Sequence, residues 1–454
     1  MDVTAVLSAS ATLNSVAEAF VVPAASPLTI VAPAEPSADQ ARWSQLTDPQ
    51  LADPQSDDPQ QSRSLTLLDS LANLSRPQLE AWASDPSAVA DLLAAPPAAS
   101  EVSDWWATTD ATARVRLLAA APEVVGNLEG VPYQVRDSAN RQFLGEAIGD
   151  VNARLADGSV GRAATEQLQA QLHMLQQVRD AVASGDSGLP RSLVSLDVAD
   201  GGRAVIAVGD LTNADYVSFL VPGMFYSVDS EIGSWAGAAD QLAVDQADWL
   251  SRLTPAQHAG DMQTVATVAW IGYHTPTVVS VASLDLARDG RDALTASLRG
   301  LDAVRADGAG APYLSVLAHS YGATAALLAL QENDVTVDAL AMVGSPGSPA
   351  ENVGQLKVRD GNVWVADAAL DPVASTGVFG SQPLSAAYGA HHFGVDGAVD
   401  PLTGRELAGS LGHVDYFTAG SESFRNMALI GIGQGRLVLG ADGAAAAAPR
   451  ALAG

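Results

Sequence analysis

The second half of the chain alternates short apolar runs with segments of helical periodicity, and this alternation limits the folds open to it. After Pro190, the sequence RSLVSLDVADGGRAVIAVGDL indicates two strands joined by Asp-Gly-Gly in a hairpin. Helical segments such as 233–251 and 283–304 separate most of the apolar runs that follow. These runs lie at residues 216–223, 264–272, 313–319, 337–345 and 362–367. The alternation predicts an α/β fold, with a hairpin attached to a parallel sheet that helices cover on both faces.

The region before Pro190 predicts mainly helices. Residues 33–64 are acidic and interrupted by proline, which is typical of a linker or a loosely held surface segment. Apolar residues recur at helical spacing further on, and residues 103–122 predict one short helix. The stretch TEQLQAQLHMLQQVRDAVAS, at 165–184, places its leucines and valines on one helical face.

Composition narrows the class of protein and its partners. Hydrophobic residues make up 48% of the chain and charged residues 17%, which is typical of a globular protein. The net charge of -29 disfavours nucleic acid and anionic membrane surfaces as partners, because both are negatively charged. The absence of cysteine excludes disulfides, thiolate metal sites and a cysteine nucleophile.

Targeting signals are weak in this sequence. The first residues lack the basic segment of a signal peptide, and no apolar run approaches the roughly 20 residues of a membrane span. We therefore expect a cytoplasmic protein without a membrane span.

Ser320 lies at an abrupt junction between a strand and a helix, in YLSVLAHSYGATAALLAL at 313–330. A nucleophile elbow needs small residues two positions before and after its serine, and Ala318 and Gly322 meet that need. The N-terminus of the following helix offers unpaired N–H groups that stabilise an oxyanion. The alternative is an ordinary helix N-cap, a position that serine also favours.

A serine nucleophile needs a base and an acid that orients the base. Asp367 ends the strand NVWVAD, and Asp371 lies in the loop after it. We favour Asp371 as the acid, because Asp-Pro-Val gives a fixed turn, and keep Asp367 as the alternative. His413, in the glycine-punctuated loop GSLGHVDYF, is the candidate base, whereas His319 is expected to point away from the serine. The order Ser320, Asp371, His413 is that of the α/β hydrolases.

Two backbone N–H groups are candidates for an oxyanion hole. The first belongs to Tyr321, directly after the serine. The second comes from YVSFLVPGMFYS, where Gly223 allows a close approach of the backbone; we choose Met224 and keep Phe225 as the second choice. The alternative is that Pro-Gly here is only a turn.

Six motifs occur in the order seen in one known family. They are FLVPGMF, VAWIGYHTP, LAHSYGATA, VGSPG, LDPVA and GHVDYF. Over about residues 104–425 the chain resembles an actinobacterial α/β-hydrolase family of uncharacterised function. The resemblance implies the α/β-hydrolase fold and a Ser-Asp-His triad at Ser320, Asp371 and His413. Ala318 replaces the usual glycine and Val414 the usual serine, and the family implies no substrate.

These observations predict four parts of the chain. Residues 1–100 form a helical, partly low-order N-terminal region, and residues 101–190 a helical segment that packs on or caps the core. Residues 191–435 form the α/β-hydrolase domain, and residues 436–454 a disordered tail. Within the second part, GNLEGVPYQVRDSANR is either a cap that closes over the site or a strap that packs on the core.

The expected activity is a serine hydrolase of carboxylic esters that forms an acyl-enzyme on a small-molecule substrate, without cofactor or metal. A peptidase, an amidase or an acyltransferase on the same fold is the alternative, since fold does not settle function. A non-catalytic scaffold whose helical region binds a partner is a further alternative. A metal-dependent hydrolase is disfavoured, because no cluster with metal-ligand spacing is visible.

Overall fold

A computed structural model of the chain describes residues 59–183, 185–253, 263–276, 283–374 and 376–440. The predictions for residues 1–58, including most of the proline-rich segment, lie outside the described residues, as do those for 441–454. None of the helices within the described ranges is long and apolar enough to cross a membrane.

An eight-stranded sheet forms the centre of the fold. Its strands are β1 (Arg191–Asp197), β2 (Arg203–Val208), β3 (Tyr216–Val221), β4 (Val265–Ile271), β5 (Tyr313–His319), β6 (Ala339–Val343), β7 (Val363–Ala366) and β8 (His391–His392). The spatial order is β1-β2-β4-β3-β5-β6-β7-β8, with β2 antiparallel to both of its neighbours and every other pair parallel. The predicted hairpin and the predicted parallel sheet are both confirmed.

Helices cover both faces of this sheet, as the apolar runs predict. They are α7 (Tyr133–Asp157), α8 (Arg162–Ala183), α9 (Val228–Leu253), α10 (Asp285–Arg305), α11 (Tyr321–Glu332) and α12 (Glu422–Gly431). Alternate residues of β5 enter two separate cores. Leu317 packs in the core that contains residues of α8, α9 and α12, whereas Val316 and Ala318 belong to the core that contains residues of α10 and α11.

Six shorter helices precede α7 in the part of the chain that begins at residue 59. They are α1 (Pro59–Asn73), α2 (Arg76–Ala83), α3 (Pro86–Ala94), α4 (Ala99–Thr108), α5 (Ala111–Ala120) and α6 (Pro122–Asn127). The single helix predicted at 103–122 is wrong: the chain breaks there between α4 and α5. Asp110 causes the break, because its carboxylate accepts hydrogen bonds from the N–H groups of Thr112 and Ala113 and so begins a new helix.

The segment GNLEGVPYQVRDSANR packs on β1, an edge strand of the sheet. Asn140 donates a hydrogen bond to the carbonyl of Leu193 at 3.0 Å, and Asp137 accepts one from the N–H of the same residue at 2.7 Å. Buried Arg136 forms an ion pair with Glu129. These contacts favour the packing strap over the cap. The division of the chain into separate domains stays a prediction.

The end of the described chain is anchored to the core. Asn426 of α12 accepts a hydrogen bond from the N–H of Leu439 at 3.0 Å, and Val438 is buried. The predicted start of the tail, residue 436, lies within a 3₁₀ turn at Gly435–Leu437. Two short strands, β9 (Ala398–Val399) and β10 (Glu406–Leu407), form a small hairpin before α12.

Candidate active site

Ser320 stands at the apex of a sharp turn between β5 and α11. Its backbone has φ 53° and ψ -128°, in a region that L-residues rarely adopt. The turn needs small neighbours: a Cβ on Gly322 would lie 2.8 Å from the carbonyl oxygen of Val221, and Ala318 is fully buried. The Ser320 side chain forms no helix cap, so the N-cap alternative does not describe this serine.

The hydroxyl of Ser320 instead meets His413. The distance from Ser320 Oγ to His413 Nε2 is 2.6 Å, and His413 Nδ1 lies 2.9 Å from both carboxylate oxygens of Asp371. A carboxylate only accepts hydrogen bonds, so Nδ1 carries the proton and Nε2 accepts the Ser320 hydroxyl. Three residues from three different parts of the chain thus form one chain of hydrogen bonds.

The two candidate aspartates occupy different environments. Burial favours a raised pKa for Asp371, but hydrogen bonds from His413 and Tyr416 outweigh it and hold the pKa at about 2. Burial and the neighbouring Asp371 charge raise the pKa of Asp367 to about 7. Asp367 accepts a hydrogen bond from the N–H of Gly344 at 3.1 Å, and it is Asp371 that contacts the histidine.

The loop after β3 lies directly against the serine. A Cβ on Gly223 would stand 3.0 Å from Ser320 Oγ, so the backbone before Met224 reaches the nucleophile position only because residue 223 is glycine. The N–H of Phe225 donates to the carbonyl of Pro276 at 3.2 Å, which removes the second-choice donor. Within the described residues, the N–H groups of Met224 and Tyr321 have no hydrogen-bond acceptor.

Comparison with known proteins gives the family. A sequence profile described as "Alpha/beta hydrolase" matches residues 197–381. An uncharacterised protein of Mycobacterium bovis is 31% identical over 219 residues, which cover 46% of this chain and 78% of that protein. The chain belongs to this actinobacterial α/β-hydrolase family. An uncharacterised protein of Mycobacterium tuberculosis is 29% identical over 386 residues, or 76% of this α/β hydrolase. The hydrolase spans 57% of that relative's length.

Solved structures with distant similarity are esterases and hydrolases. One of two fungal esterases from Rhizomucor miehei is 12% identical with a TM-score of 0.26, covering 45% of this α/β hydrolase and 58% of that chain. A dienelactone hydrolase from Anabaena variabilis is 18% identical with a TM-score of 0.25; the match covers 42% of this α/β hydrolase and 78% of that chain. Similarity at this level does not bear on the substrate.

Tyr416 is a site residue of this α/β hydrolase that the sequence did not reveal. Its hydroxyl donates to Asp371 Oδ2 at 2.7 Å and accepts from the N–H of Ala368, also at 2.7 Å. The fully buried ring follows His413 by three residues, in a 3₁₀ turn at Asp415–Phe417. In the sequence, only its position in GHVDYF, close to His413, points to Tyr416. That position does not distinguish a tyrosine that positions Asp371 from an ordinary core tyrosine.

His319 packs against His413 and hydrogen-bonds to its backbone. Its Nε2 lies 2.6 Å from the carbonyl oxygen of His413, and the two rings are 4.8 Å apart. Burial and the neighbouring His413 lower the pKa of His319 to about 3, so the ring is neutral and Nε2–H donates to that carbonyl. Among the described residues no hydrogen bond joins His319 to Ser320, but the His319 side chain holds the loop that carries His413.

Metal ligation has no candidate within the described ranges. No group of three or more His, Cys, Asp or Glu side chains converges there in a way that holds a metal ion.

Proposed function

We propose that this α/β hydrolase is a serine hydrolase that cleaves carboxylic esters through an acyl-enzyme. The observation that carries the proposal is the unbroken hydrogen-bonded chain from Ser320 Oγ through His413 to Asp371, with distances of 2.6 and 2.9 Å. Nucleophile, base and orienting acid need this connectivity. A serine that serves only as a helix cap does not need its φ of 53° or a buried carboxylate behind its partner.

Acylation uses each member in turn. His413 Nε2 takes the hydroxyl proton as Ser320 Oγ attacks the carbonyl carbon of the ester. The Asp371 carboxylate fixes the ring with Nδ1 protonated and stabilises the imidazolium that forms. The pKa of about 2 keeps this carboxylate charged throughout the neutral range. The C–O bond to the leaving alcohol then breaks, and His413 returns the proton to the leaving oxygen.

The developing oxyanion needs donors that are already in place. Tyr321 begins α11 directly after the serine, and the backbone before Met224 lies against the serine at Gly223, so their N–H groups are the proposed donors. Preorganised donors of this kind each raise kcat by about 10²–10³-fold. Deacylation repeats these steps with water. His413 takes a proton from water as the water oxygen attacks the acyl carbon, and His413 then returns that proton to Ser320 Oγ as the serine leaves.

The test is covalent labelling together with turnover. Purified wild type is expected to react with a fluorophosphonate and to hydrolyse p-nitrophenyl esters, whereas Ser320→Ala does neither. The matched control is Ser315→Ala, which removes a buried serine of β5, the strand that precedes Ser320; Ser315 contacts Ser218 and not His413. Absence of labelling in wild type, or equal labelling of Ser320→Ala, contradicts the proposal.

Two further substrates separate the ester hydrolase from its alternatives. A p-nitroanilide series measures amidase activity, and added alcohol or hydroxylamine measures transfer of the acyl group to an acceptor other than water. Appreciable cleavage of the intrinsically less reactive anilides by a labelled serine assigns a peptidase or amidase. Preferential transfer to the acceptor assigns an acyltransferase.

A further inference from the structure

Exposed apolar side chains gather in the loops that carry the site. Phe225 follows Met224, and Leu370 precedes Asp371. Leu411 and Val414 flank His413 on either side, and they are 70% and 67% exposed. Exposed large apolar residues next to a reactive group are informative, because they lose contact with water once a ligand covers them.

The loop that presents Leu411 and Val414 is held in one conformation. The N–H of Leu411 donates to the carboxylate of Asp415 at 3.3 Å, and the carbonyl of His413 accepts from His319 at 2.6 Å. Gly412 takes a left-handed φ of 73° between them. Leu411 and Val414, here called the apolar border, are therefore exposed apolar side chains on the loop that carries His413, two and one positions from it in the chain.

The chemistry of the proposed reaction decides which part of an ester meets this border. His413 Nε2 gives its proton to the leaving oxygen, so that oxygen must come within hydrogen-bond distance, about 3 Å, of Nε2. The acyl carbonyl oxygen points instead at the N–H groups of Tyr321 and Met224. The carbon chain of the leaving alcohol therefore begins at His413, and neighbouring Cα atoms lie only about 3.8 Å apart.

We propose that the leaving group is an apolar alcohol and that Leu411 and Val414 determine this specificity by covering its first carbons. This inference rests on the proposed function and deepens it by naming the substrate class on the alcohol side. Neither side chain takes part in proton transfer. A charged or sugar-like alcohol gains nothing from this border, because its polar groups lose water there without gaining partners.

The expected size of the effect follows from apolar burial. Full burial of one methylene group raises kcat/KM by about fourfold. A surface border that covers only part of the methylene group raises it by about twofold. Wild type is therefore expected to gain about two- to fourfold per methylene along a series of acetate esters from methyl to butyl.

The experiment compares two substrate series in three variants. Leu411→Ser and Val414→Ser are expected to flatten the alcohol series, so that kcat/KM rises less than about 1.5-fold per methylene. Val399→Ser, which replaces a similarly exposed valine on β9, keeps the wild-type slope. The p-nitrophenyl acyl series from acetate to octanoate keeps its slope in all three variants. The deacylation rate is also unchanged, because the alcohol has left by then.

Several outcomes overturn the inference while Ser320 still labels. These are a flat alcohol series in wild type, an unaltered slope in both border variants, or a change confined to the acyl series. Absence of both fluorophosphonate labelling and ester turnover overturns the proposed function and this inference together. Melting temperatures of the variants show whether any loss reflects unfolding.

Discussion

The Asp371 carboxylate shows how single residues set the electrostatics of the site. It is fully buried, yet four hydrogen-bond donors surround it: His413 Nδ1, the Tyr416 hydroxyl, and the N–H groups of Val373 and Ala374. Hydrogen bonds to a charged form favour that form, and here they outweigh burial. Of the two side-chain donors, Tyr416 lies outside the Ser320–His413–Asp371 chain and acts on the histidine through the carboxylate.

Replacing Tyr416 with Phe tests this positioning role. The variant keeps the ring but removes one donor from Asp371, and it leaves the N–H of Ala368 without its acceptor. We expect kcat to fall about tenfold with KM nearly unchanged, and the free energy of unfolding to fall by about 1–3 kcal/mol. Steady-state kinetics and urea unfolding measure the two effects.

Tyr388→Phe is the matched control for that variant. The Tyr388 hydroxyl is buried without a hydrogen-bond partner among the described residues, so its loss removes no bond and exposes no donor. Activity and stability are expected to stay at wild-type levels or to rise slightly. An equal loss of kcat in both tyrosine variants contradicts a specific role for Tyr416.

At the scale of elements, the ends of the central strands bring the site residues together. β3, β5 and β7 end in the loops that carry Met224, Ser320 and Asp371, and His413 lies in the loop before α12. β6 contributes no side chain of its own, but Gly344 follows it with φ 61°. A Cβ at that position would lie 2.7 Å from Asp371 Oδ2 and 3.0 Å from His413 Nδ1.

Gly344→Ala is therefore expected to damage the acid–base pair directly. The added methyl group displaces His413 from Asp371 by a fraction of an ångström or more, and misplacement on this scale costs about 10²-fold in rate. Measurement of kcat/KM and of the fluorophosphonate labelling rate tests the expectation, and both should fall together.

A Gly158→Ala variant separates the effect of backbone strain from the effect of steric overlap at Gly344. Gly158 has nearly the same φ, 63°, at the end of α7, but no atom lies within 4 Å of its Cβ position. This variant should lose about 1–2 kcal/mol of stability from backbone strain and keep its activity. If Gly344→Ala is as active as Gly158→Ala, the close packing at Gly344 does not matter for the reaction.

The sequence predicts these elements where their signals are local. The apolar runs predict β3 to β7, and the small residues around Ser320 predict the elbow. β8 gives no signal in the sequence, because two residues are too short to give an apolar run. The contacts of Tyr416 with Asp371 and of His319 with His413 join residues 45 and 94 positions apart. Such contacts depend on the register of loops that no periodicity encodes.

At the scale of the whole molecule, protonation couples the site to stability. The chain has a net charge of -29, and Asp367 adds a half-buried carboxyl next to the charged Asp371. Its pKa of about 7 in the folded state lies above the ordinary value of 3.8. The folded protein thus retains a proton that the unfolded chain releases, and the free energy of unfolding falls as the pH rises from about 4 to about 7.

His319 has the opposite effect on the free energy of unfolding over part of this pH range. Its pKa of about 3 in the folded state lies below the ordinary value of 6.5, so the unfolded chain binds the extra proton. The free energy of unfolding rises with pH between these two values as a result. The wild-type profile therefore combines both groups, and only a comparison between variants isolates Asp367.

Asp367→Asn removes the destabilising ionisation and keeps the shape of the side chain. We expect it to raise the free energy of unfolding more at pH 8 than at pH 5.5, with a difference on the order of 1–2 kcal/mol. Urea unfolding at the two pH values measures it. Asp200→Asn, at an exposed turn, changes the net charge equally and should shift both values alike. An equal gain at both pH values for Asp367→Asn contradicts the raised pKa, because a carboxyl that is already ionised at pH 5.5 destabilises the fold to the same extent at both.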